Sequence, residues 1–169
     1  ICLLSLAGCQ QTAKKEKPVD VIIEGGGKFP EFLVGRWVAE GKSGWEFVFE
    51  PDGSISSAVI SLGKVRIKPG KVAEFSAWNE GKGIFEPGSW TVQYDPSIRE
   101  LAVKVVIEHF RQDMGDNALE GKTEDLLIGT ISQSQDGSIW KADWFTRAKY
   151  IAYTPKPAEL PLNDEPEFR

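Results

Sequence analysis

The sequence predicts an all-β fold, an antiparallel up-and-down barrel with a β-sandwich as the alternative. Three observations carry that prediction. Trp45, Phe47 and Phe49 alternate with Glu46 and Glu50, a period of two that places the aromatics on one face of a strand. Turn signals recur at short intervals: Pro51-Asp52-Gly53, Pro69-Gly70, Gly81 to Gly83, Pro87-Gly88, Asp95-Pro96, Gly115-Asp116 and Asp136-Gly137. No internal stretch sustains the 3.6-residue period of a helix. Barrel and sandwich share the same alternation, so both remain open.

The chain starts with an apolar run, Ile1 to Leu6, followed by Ala7-Gly8-Cys9 and the polar stretch Gln10 to Lys15. A membrane-spanning helix needs about 20 apolar residues, and the charges from Lys14 onward exclude one here. Leu6-Ala7-Gly8-Cys9 resembles the lipobox of bacterial lipoprotein signal peptides. That resemblance implies a signal peptide ending at residue 8, a diacylglycerol on the thiol of Cys9, and an acyl chain such as palmitate on its amine. Two or three acyl chains make a stable membrane anchor. The implied location is the bacterial cell envelope. Gln10, where inner-membrane retention signals carry Asp, points to the periplasmic face of the outer membrane.

Residues 9–28 read as the lipidated N-terminus and a flexible linker ending in Gly25-Gly26-Gly27-Lys28. No Ser or Thr follows the lysine, so the glycine run is not a phosphate loop. Residues 29–153 form the strand-rich domain. Residues 154–169 hold Pro155, Pro157, Pro161 and Pro166 among acids and read as an extended tail.

Composition narrows the function. The net charge of −5 argues against nucleic acid as a partner. The local basic run Lys64, Arg66, Lys68 and Lys71 alternates with Val65 and Ile67, as the solvated face of a strand does. The lipobox resemblance puts Cys2 in the signal and lipid on Cys9, which implies a folded domain with no disulfide and no thiolate metal site. His109 is the single histidine, which excludes a multi-histidine metal centre. With no Gly-x-Ser-x-Gly elbow either, neither an enzyme nor a cofactor is expected. Asp113, Asp116, Asn117 and Glu120 lack the spacing of a calcium loop and read as a solvated strand-end loop.

Tryptophan is the remaining signal, with six in the chain: Trp37, Trp45, Trp78, Trp90, Trp140 and Trp144. By parity Trp90 shares a face with Val92 and Tyr94, and Trp140 with Ala142 and Trp144. His109 follows Leu101, Val103, Val105 and Ile107 at strand spacing and is assigned to the same inward face. A small barrel is either filled by such side chains or holds one small ligand. The candidate ligand-binding residues are therefore Trp45, Phe47, Trp90, Tyr94, His109, Trp140 and Trp144.

The segment Phe29-Pro30-Glu31-Phe32-Leu33-Val34-Gly35-Arg36-Trp37 resembles the start of a lipocalin-like barrel. In that family an apolar segment closes the barrel floor and Gly-x-Trp opens the first strand. The resemblance implies that Gly35 and Trp37 form that opening and that Arg147, in Trp144-Phe145-Thr146-Arg147, packs over Trp37. The functional expectation is a membrane-anchored envelope lipoprotein that holds a small hydrophobic or amphipathic ligand in a lipocalin-like barrel. Its alternative is a structural or protein-interaction lipoprotein with a filled core, no ligand, and an envelope protein as partner.

Overall fold

The structure, a computed structural model, describes residues 18–41, 43–60, 65–76, 81–114, 117–135, 137–152 and 167–168. Twelve strands and one 3-10 turn lie among them. They are β1 (Val19–Ile23), the 3-10 turn Glu31–Leu33, β2 (Gly35–Val38), β3 (Glu46–Phe49), β4 (Ile55–Ile60), β5 (Val65–Ile67) and β6 (Ala73–Ser76). The chain continues with β7 (Lys82–Pro87), β8 (Trp90–Asp95), β9 (Glu100–Met114), β10 (Asn117–Ser134), β11 (Gly137–Ala152) and β12 (Glu167–Phe168). The protein is all-β, as its alternation predicts.

The strands assemble into two sheets. A four-stranded sheet runs β2-β3-β4-β5, and an eight-stranded sheet runs β1-β8-β9-β10-β11-β12 with β7 also on β9 and β6 on β7. The frame of the larger sheet is the antiparallel ribbon β9-β10-β11, whose strands are 15, 18 and 16 residues long. β8 pairs with the first part of β9, from Glu100 to Lys104, and β7 with its later part, from Ile107 to Gln112. Among the described residues no ladder joins the two sheets, and no closed barrel forms. β1 runs parallel to β8, which also departs from an up-and-down order. Alternation states which face of a strand is buried; it does not state which strand lies beside it.

Two segment boundaries differ from the sequence reading. Val19 to Ile23, assigned there to the linker, pair in register with Trp90 to Tyr94. The cause is a short alternation, Val19-Asp20-Val21-Ile22-Ile23, in which Val19 is buried. Backbone bonds from Trp90 N to Pro18 O and from Glu24 N to Tyr94 O fix both ends of that pairing. Farther along the chain Glu167 and Phe168 pair with Lys141 and Trp140, so two residues assigned to the extended tail join the sheet. Residues 153–166 lie outside the described residues.

The predicted hairpin at Pro51-Asp52-Gly53 joins β3 to β4. Asp52 Oδ1 accepts from Ser54 N at 3.0 Å and from Ser54 Oγ at 2.6 Å, closing an Asx turn. Gly53 takes φ +83°, and a Cβ there would come within 2.7 Å of both Phe29 and Val21. The hairpin thus packs against β1 and the segment that precedes β2, and only glycine fits.

The buried core draws on both sheets. Phe47, Phe49, Ala58 and Ile60 from the smaller sheet and Val92, Leu101, Val103, Val105, Leu127 and Trp140 from the larger are all buried. A second aromatic row, Phe75, Phe85, Phe110 and Tyr150, crosses the larger sheet. Its ring centroids lie 4.8, 6.4 and 6.3 Å apart in that order.

Candidate functional site

Trp45 and Phe47 approach from the smaller sheet and Trp140 and Trp144 from the larger. Trp45 stacks on Phe47 at 5.6 Å and 17°, and meets Trp144 edge-on at 5.5 Å and 82°. Phe47 also contacts Phe49 at 6.0 Å and Trp140 at 6.3 Å. Such offset and edge contacts are the favoured aromatic geometries. Two further candidates stand apart on β8. Trp90 is fully buried and donates Nε1 to Val106 O at 3.0 Å, and the phenol of Tyr94 is pushed above its ordinary pKa by burial.

Most of the indole donors are already engaged. Trp140 Nε1 donates to Gly129 O at 3.2 Å and Trp144 Nε1 to Asp125 Oδ1 at 3.0 Å. Trp45 Nε1 and the neighbouring Ser43 Oγ are the exceptions, both buried without a hydrogen-bond partner among the described residues.

Asp125 is the polar centre of this region and was not singled out from the sequence. It shares the inward parity of Leu127 and Ile131 and is buried. Oδ1 accepts from Trp144 Nε1 and from Thr146 Oγ1 at 2.5 Å, while Oδ2 accepts from Thr123 Oγ1 at 3.2 Å. Burial pushes its carboxyl pKa up, against the hydrogen bonds from Thr146, Trp144 and Thr123 that favour the anion. The signal was legible: Thr123-x-Asp125-x-Leu127 alternates like its neighbours.

His109 does not belong to the interior. Gly121 pairs with Phe110, but Thr123 pairs with Ile107, so Lys122 faces both Glu108 and His109. This bulge inserts one residue and reverses the parity of β9 beyond it. Phe110 turns into the core, and His109 turns out between two carboxylates. Its Nδ1 lies 3.1 Å from Glu86 Oε1 and its Nε2 2.7 Å from Glu120 Oε1. Glu120, and then Glu86, raise the imidazole pKa by favouring the cation. Arg111 completes the row, donating to Asp113 at 3.1 Å and to Glu120 at 3.4 Å. Asn117 and Glu120 lie in β10 and Asp113 in β9, so the expected solvated loop is a hairpin stem at those positions. Asp116 lies outside the described residues.

Trp37 and Arg147 are not brought together. Trp37 is buried and donates Nε1 to Leu33 O at 2.9 Å, tying β2 to the 3-10 turn before it. Arg147 lies on the opposite face of β11 from Trp144 and Thr146, exposed on the outer side of the larger sheet. Gly35 opens β2 at φ +118°, a backbone state that favours glycine. Nearby, Glu46 is covered by Arg36 at 2.7 Å and Arg66 at 2.6 Å. Arg36 above all holds the Glu46 carboxyl below its ordinary pKa. Cys9 and Trp78 lie outside the described residues.

Clefts lined by described residues open elsewhere. One of about 510 Å³ lies beside Phe75, Ile84, Arg111 and Asp113. Another, of about 540 Å³, lies between β1 and the β3–β4 turn. The third, of about 270 Å³, is on the outer face among Lys122, Glu124, Arg147 and Lys149. Among the described residues no group of three or more histidines, cysteines or carboxylates is arranged to hold a metal. No protein-family model, curated protein or solved structure was found to match the chain.

Proposed function

We propose that the chain is a lipid-anchored protein of the bacterial envelope whose β domain is a non-enzymatic interaction module with a filled core. The lipobox-like Leu6-Ala7-Gly8-Cys9 supports the anchor. The observation that carries the filled core is the interlock of Trp45, Phe47, Trp140 and Trp144, in which rings occupy the space a ligand would need. We take the two sheets as the layers of a sandwich, since Trp45 and Phe47 of one meet Trp144 and Trp140 of the other.

One observation favours the ligand-binding alternative. Trp45 Nε1 and Ser43 Oγ are buried donors without partners, and a bound acceptor would satisfy them.

Affinity capture of the anchored chain from native membranes separates the two. An interaction module is expected to bring down an envelope protein in stoichiometric amount, whereas a carrier brings down a small molecule. Replacing Cys9 by Ser is expected to abolish palmitate incorporation; retention of the label would remove the anchor from the account.

A further inference from the structure

The outer face of the β10–β11 ribbon carries a cation cluster that the rest of the surface does not explain. Lys122 and Lys149 are directly opposite partners in the ladder, and Arg147 follows on the same face, opposite Glu124. Like charges placed directly across a ladder repel and destabilise it. Two of the nearby carboxylates are engaged elsewhere. Glu124 bonds to Lys104 at 3.1 Å, and Glu120 is held by His109 and Arg111. Glu108 packs near Gly88 and lines the same cleft without an ion pair to any of the three. Lys122, Arg147 and Lys149 thus make no ion pair among the described residues, in a protein whose net charge is −5.

The three cations line one cleft of about 270 Å³ together with Val106 and two carboxylates, Glu108 and Glu124, so cations outnumber anions there by one. Along β11 they lie between two exposed apolar side chains, Phe145 at 57% and Ile151 at 65% exposure. Single exposed apolar residues are ordinary. Here the stripe reads Phe145, Arg147, Lys149, Ile151, with Leu126 opposite Phe145. Cations attract anionic headgroups, and aromatic and aliphatic side chains enter the acyl boundary beneath them.

We propose that this face binds the membrane surface, with Lys122, Arg147 and Lys149 around the phosphate of an anionic phospholipid and Phe145 and Ile151 in the apolar boundary. Arg147 can hold the phosphate through two parallel N–H bonds, as guanidinium does. The contact needs no lipid on Cys9; anchored or not, the chain presents the same face.

The full chain carrying Cys9→Ser, which cannot be lipidated, is mixed with vesicles of phosphatidylcholine alone or of phosphatidylcholine with phosphatidylglycerol, and the bound fraction is measured. Enrichment on the phosphatidylglycerol vesicles is expected. Lys122→Gln, Arg147→Gln and Lys149→Gln should each lower it about fivefold, and Phe145→Ser should lower it as well. Lys68→Gln with Lys71→Gln, exposed cations between β5 and β6, should change it little. Thermal unfolding of each variant reports that the fold is kept. Equal binding to both vesicles overturns the proposal, as does an equal loss in the Lys68, Lys71 control. Inorganic phosphate is titrated in parallel by following the amide resonances of Arg147 and Lys149. Competition between it and the vesicles supports the shared site, whereas phosphate binding without vesicle binding assigns the cleft to a soluble anion and overturns it. Lipid on Cys9 is read separately, from the mass of the parent chain extracted from membranes.

Discussion

Lys122 and Lys149 face each other directly across the β10–β11 ladder, two cations where a strand pair ordinarily places opposite charges. Replacing Lys149 by Glu converts the repulsive pair into an attractive one. The variant should gain about 0.2–1 kcal/mol of stability, read as a higher urea midpoint with an unchanged slope. The gain should shrink at high salt, because exposed charges are screened.

Phe47 is fully buried among Trp45, Phe49 and Trp140. Truncation to Ala removes contacts from both sheets and leaves a void that the surrounding rings cannot refill. A loss of about 3–5 kcal/mol is expected, measured by urea unfolding. A loss below about 1 kcal/mol would mean that the rings are not packed together as described.

Asp125 ties Thr123 and Trp144 into the core. Its folded pKa is raised, so between the ordinary carboxylate value and the raised one the folded state binds more protons than the unfolded state. Stability should therefore fall as pH rises through that window. Asp125→Asn keeps an acceptor for Trp144 and Thr146 and should flatten this dependence. Asp125→Ala leaves the Trp144 and Thr146 donors without a partner and should cost about 1–3 kcal/mol. Urea titrations of the three proteins across acid to neutral pH distinguish these outcomes.

His109 behaves in the same sense at higher pH. Its folded pKa is raised by Glu120 and Glu86, so the stabilisation is fully present below the unfolded histidine value and is lost as pH rises through the folded one. Removing the imidazole in His109→Gln should flatten the unfolding midpoint across that range. Glu46 runs the opposite way. Held low by Arg36 and Arg66, it contributes stability above its unfolded value, and that contribution is lost as pH falls through the depressed one.

The sequence made the local features readable and left their assembly open. Trp45, Phe47 and Phe49 share a buried face, and Pro51-Asp52-Gly53 turns a hairpin, because side-chain alternation and turn chemistry act within a few residues. The pairing of Val19–Ile23 with β8 joins segments some seventy residues apart, and nothing in Val-Asp-Val-Ile-Ile names that partner. The parity of Ile107 continued along β9 points His109 inward, and one inserted residue at the bulge reverses it. Arg147 falls on the outward parity of β11, so the resemblance that set it over Trp37 failed on a property visible in the alternation itself. Asp125 was readable by the same rule.

Whether the aromatic interior is filled decides between an interaction module and a carrier. It is tested most directly by following the indole N–H resonances of Trp45, Trp140 and Trp144 while a neutral apolar probe, phenylnaphthylamine, is added. Resonances that stay in place up to the solubility of the probe are the predicted result. Saturable shifts of Trp45 and Trp144 together would contradict it and make the space between the sheets a ligand site.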